Sequence, residues 1–100
     1  MKKLLLTALA AGLLFNSPAK AFDQTTLRGA AMLMIYASNC TPSGDLSSLP
    51  RNTRVALEIL VEAHASDIFR HGMEIQKQRR ELGNEVFCVV ARRNIPATLL

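Results

Sequence analysis

The amino-acid sequence predicts an all-α fold, a small three-helix bundle running up, down and up and stapled by one disulfide. Three observations carry that expectation. Apolar residues recur at helical spacing from Leu57 to Val89, a dense apolar block over residues 30–37 follows side chains able to cap a helix, and the chain carries two cysteines, Cys40 and Cys88.

The first segment to account for is residues 1–21, which read as a cleavable signal peptide. Lys2 and Lys3 form a charged start, residues 4–15 are apolar apart from Thr7 and Gly12, and Asn16, Ser17 and Pro18 follow. Ala19 and Ala21 flank Lys20 in the small-residue pattern that a signal peptidase needs, so cleavage is expected between Ala21 and Phe22. An uncleaved anchor is not favoured: about 12 apolar residues make roughly 18 Å of helix against a hydrocarbon core of about 30 Å. Cys40 lies too far from the leader to take a lipid. No stable membrane insertion is therefore expected after cleavage, and the compartment predicted is the periplasm or the exterior of a bacterium. Residues 22–93 are expected to form one helical domain, with 94–100 as a loose tail.

Cleavage removes three of the twelve Lys and Arg residues and none of the eight Asp and Glu residues, leaving a net charge of about +1 on 79 residues. The whole-chain pI near 9.6 is thus largely a property of the leader. No nucleic-acid partner is expected, because the clusters that remain, Lys77–Arg79–Arg80 and Arg92–Arg93, are balanced by Glu74, Glu81 and Glu85.

In an oxidising compartment the two cysteines are expected to pair, Cys40 with Cys88, as a structural bridge, since no CxxC redox motif is present. Closing a loop of about 49 residues stabilises a fold by roughly 4 kcal/mol in the chain-entropy account.

Element by element, Asp23, Thr25 and Thr26 offer capping oxygens to a first helix, on which Leu27, Ala30, Ala31, Met34 and Ser38 share a face. Its block Ala-Ala-Met-Leu-Met-Ile-Tyr-Ala is apolar all round, so neighbours or a partner should enclose it. Two neighbouring helices would cover two sides only. Met32, Leu33, Ile35 and Tyr36 are accordingly predicted to include an exposed interaction patch. Residues 39–48, with Pro42, Gly44 and three serines, read as a loop.

A second amphipathic stretch begins near Pro50, with Ser48 as cap, a stripe of Leu57, Leu60, Val61, His64 or Ala65 and Ile68, and an i,i+4 pair of Arg54 with Glu58. The stripe continues through Gly72, Ile75, Arg79, Leu82, Val86 and Val89, so periodicity alone permits one helix over residues 53–92. The disulfide decides against it. Such a helix would carry Cys88 about 52 Å from residue 53, and the chain from Cys40 to residue 53, at most about 47 Å long, would have to be fully stretched to bridge it, which a compact domain could not use. The break is placed at His71 and Gly72, where glycine can end a helix. Residues 86–91 are a β-branched run able to form a short strand instead.

Sites for chemistry are few. His64, Asp67, His71 and Glu74 share one helical arc, yet only neighbours such as Asp67 and His71 could reach a common ion, and neither a metal nor a cofactor is expected. Motifs for a hydrolase elbow, a zinc protease or a phosphate loop are absent, and the Glu58–Glu62 and Glu81–Glu85 pairs read as solvated surface, so catalysis is not expected. The combination of leader, short all-helical domain and single disulfide resembles the small periplasmic acid-stress chaperones. The likeness is one of architecture, with no shared motif around Cys40 or Cys88, and it transfers no functional residue. The expected function is that of an exported interaction protein that binds another protein or itself, such as an accessory of a secretion or conjugation apparatus. The alternatives are a toxin, host-killing, exclusion or immunity factor of a mobile element and a periplasmic stress chaperone.

Overall fold

A computed structural model describes residues 24–100, so the leader and its cleavage site at Ala21 and Phe22 lie outside the described residues. The described chain is all-helical: α1 (Gln24–Asn39), α2 (Arg51–Leu82) and α3 (Asn84–Asn94), with short 3₁₀ turns at Leu46–Ser48 and Ala97–Leu99. No strand occurs among these residues, and the β-branched run at 86–91 is helical.

α1 is the centre of the molecule. Leu27, Ala30, Ala31, Leu33, Ile35, Tyr36 and Ala37 are buried on it, which is nearly its whole circumference. α2 closes round it because it is not straight. His64 leaves helical geometry at φ −137° and ψ 34°, so one 32-residue helix becomes two arms. Thr53, Leu57 and Leu60 are buried before the kink, Ile68 and Ile75 after it. The apolar members of both sets join the same core as α1.

Polar contacts fix the register. Gln24 Oε1 accepts from His71 Nε2 at 2.6 Å and from Arg70 Nη2 at 3.2 Å. Arg28 reaches Glu74 at 3.4 Å and Gln78 at 3.3 Å. At the other end of α1, Asn84 Nδ2 donates to the Asn39 carbonyl at 3.1 Å.

The break between the second and third helices falls at Gly83, not at Gly72. Gly83 has φ 86° and ψ 147°, a conformation that only glycine adopts without strain, and its N–H closes α2 on the Arg79 carbonyl at 2.9 Å. Gly72 stays helical, with Ile35 packed beside it. Moving the break rotates the last helix: Phe87 and Ala91 face the core, while Val86 and Val89 of the predicted stripe face solvent. Cys88 is carried back to Cys40, and the two are bonded with a Cα–Cα separation of 5.5 Å.

Residues 94–100 are not a loose tail. Ile95 is buried, Leu99 and Leu100 pack partly against the core, and the buried Thr53 hydroxyl donates to the Leu99 carbonyl at 3.0 Å. At its start α2 has Pro50 as its cap residue, and the predicted cap Ser48 belongs to a 3₁₀ turn held by Asp45. The Arg54–Glu58 pair is not formed; Arg28–Glu74, Asp67–Arg70 and His71–Glu74 are the pairs seen.

Candidate functional site

The predicted patch on α1 is overturned by burial. Leu33, Ile35 and Tyr36 retain 6, 8 and 6% of their surface, and Met32 is half-buried against the core. The physical reason is that more than two neighbours enclose α1: α2, α3 and the 3₁₀ turn at Leu46–Ser48 all pack on it. Tyr36 is further tied down by Arg92, whose Nη1 donates to the phenol oxygen at 3.3 Å.

The residues of the histidine arc are held in structural contacts. Asp67 pairs with Arg70 at 2.9 Å. His71 is not exposed as an isolated wheel suggests: its side chain keeps 13% of its surface, its Nε2 is occupied by Gln24, and its Nδ1 stands 4.0 Å from Glu74. No group of three or more His, Cys, Asp or Glu side chains among the described residues is placed to hold a metal ion. No helix among them is long and apolar enough to cross a membrane.

Exposed apolar surface is concentrated on the back of α2. Phe69, Met73 and Ile59 keep 69, 60 and 59% of their surface, and Val55 is exposed with them. Within each arm of α2 they lie away from the buried side chains, Val55 and Ile59 opposite Leu57 and Leu60 before the kink, Phe69 and Met73 away from Ile68 and Ile75 after it. They form two i,i+4 pairs, Val55 with Ile59 before the kink and Phe69 with Met73 after it. The charges beside them differ in sign. Glu58 and Glu62 stand next to Ile59, whereas Arg70, Lys77 and Arg80 surround Phe69 and Met73 on the exposed side.

Sequence reasoning passed over these residues because it followed only the stripe that turns inward. The signal was present as two large apolar pairs at i,i+4 spacing on the face otherwise given to charge. A second exposed apolar face lies on α3, at Val86, Val89 and Val90. Comparison of this chain with protein-family models, with curated proteins and with solved structures finds no match.

Proposed function

We propose that the mature chain is an exported bacterial protein, periplasmic or secreted, that acts by binding another protein through the back of α2 and does not turn over a substrate. The observation that carries this reading is the concentration of Ile59, Phe69 and Met73, the three most exposed large apolar side chains among the described residues, on the outward side of α2. Such side chains lose free energy in water and regain it when a partner covers them. The leader-like start of the chain supports export, and a Cys40–Cys88 bond is compatible with an oxidising compartment. The matching partner element is an amphipathic helix with basic residues where it meets Glu58 and Glu62 and acidic residues where it meets Arg70, Lys77 and Arg80. An accessory role in a secretion or conjugation apparatus is the setting in which such a non-catalytic binder would work.

The test is site-specific photocrosslinking in the producing cell. A crosslinker at position 59, 69 or 73 should give one discrete adduct mass, absent when the crosslinker sits at Thr25 or Ser43, which are exposed on other parts of the fold, and lost with Met73→Glu when it sits at 69. No adduct from any of the three positions, or equal adducts from the control positions, would contradict the reading.

A further inference from the structure

α3 is too short to need three exposed valines, and its outward face is built from them. Val86, Val89 and Val90 keep 50, 51 and 38% of their surface and stand at i, i+3 and i+4, while Phe87 and Ala91 fill the inward face. β-branched residues are poor helix formers, so they weaken an exposed helix unless something packs on them. The ends of the same helix carry opposite charge: Glu85 lies in the first turn, Arg92 and Arg93 in the last.

We propose that this face binds a second copy of the chain, α3 against α3 in antiparallel orientation about a two-fold axis. A two-fold interface must be complementary to itself, and this face is. With the axis passing between the levels of Val86 and Val89, Val86 of one copy packs on Val89 of the partner copy. With the axis at that level, Glu85 of each copy lies about 4.5 Å along the helix axis from Arg93 of the partner copy, within reach of its side chain, twice. Neither Glu85 nor Arg93 is engaged in an ion pair among the described residues, and the antiparallel arrangement also opposes the two helix dipoles. A parallel arrangement would hold Glu85 about 12 Å along the axis from the partner copy's Arg93, out of reach. Three valines make a small interface, well below the roughly 1,000 Å² of a stable dimer, so the association is weak and reversible. It involves residues other than those of the proposed partner site on α2, and the two readings can fail separately.

Sedimentation equilibrium of the oxidised mature protein, from about 10 µM to about 1 mM, tests it, a range set by the weak association expected of so small an interface. The weight-average mass is expected to climb from the monomer value towards twice that value. Val89→Glu, which sets carboxylates near one another at the axis, should hold the mass at the monomer value while circular dichroism shows unchanged helicity. Glu85→Arg alone should weaken dimerisation about tenfold, and Glu85→Arg with Arg93→Glu should restore it. A monomer at every concentration would overturn the proposal, as would a dimer indifferent to Val89→Glu. A dimer abolished by Phe69→Glu and not by Val89→Glu would place self-association on α2 and overturn it too.

Discussion

Two glycines show how much a single residue decides. Gly83 holds a backbone conformation that an L side chain enters only with strain, and open space surrounds it, so any cost of substitution is a backbone cost. Gly83→Ala is predicted to lower the unfolding free energy by about 1–3 kcal/mol. Gly72 lies in a regular part of α2, where an added Cβ would meet Ile35 Cδ1 at an ordinary 3.8 Å. Gly72→Ala is therefore predicted to raise stability by about 0.5–1 kcal/mol. Urea unfolding of both variants checks the opposite signs. Asp45 supplies a pH-dependent term. The Ser47 hydroxyl and then the Ser47 N–H donate to its carboxylate and hold its pKa below the ordinary value. A carboxyl depressed in the folded state stabilises it above the unfolded-state pKa, and the effect is lost as pH falls through the folded pKa. The melting-temperature gap between the protein and Asp45→Asn should thus be full near neutral pH and shrink as pH falls below the ordinary carboxylate range. A gap that does not change with pH would contradict this.

The elements show what was legible in the sequence and what was not. Helix 1, the loop over 39–48 and the requirement that the long amphipathic stretch be broken all follow from period, turn residues and the reach of the chain. The place of the break did not, because Gly72 and Gly83 look alike in a sequence. Arg79 and Arg80 before Gly83 were the available sign, since basic residues gather in the last turn of a helix. The kink at His64 carries no proline or glycine to announce it, and nothing in α1 itself tells how many neighbours will enclose it. The consequence is a reversal between two helices: Leu33→Glu is predicted to unfold the protein, as a charge in the core must, whereas Phe69→Glu should leave helicity and melting temperature unchanged. The docked C-terminal turn belongs at this scale as well. Thr53→Val, which removes the donor to Leu99, should cost about 1 kcal/mol, and Ile95→Ala about 2–4 kcal/mol. A tail that contributed nothing would leave both variants at full stability.

As a whole, the molecule depends on one covalent bond. α3 follows α2 after the single residue Gly83, and the Cys40–Cys88 bond ties it back to the end of α1 across 48 positions of sequence. The bond is worth about 4 kcal/mol in the chain-entropy account, close to the whole stability of a domain this small, so the double Cys→Ala variant is predicted to be largely unfolded at physiological temperature. On the proposed reading, export, processing and oxidation are one requirement, because the disulfide-bonded fold is compatible with a compartment where thiols are oxidised. The most direct measurement is the intact mass of the protein recovered from the periplasm or medium of the producing cell, with a peptide map. The expected species begins at Phe22, is two hydrogens lighter than the reduced chain, and yields one cross-linked peptide pair joining Cys40 to Cys88. A chain that keeps residues 1–21, or one with both cysteines free, would contradict the account.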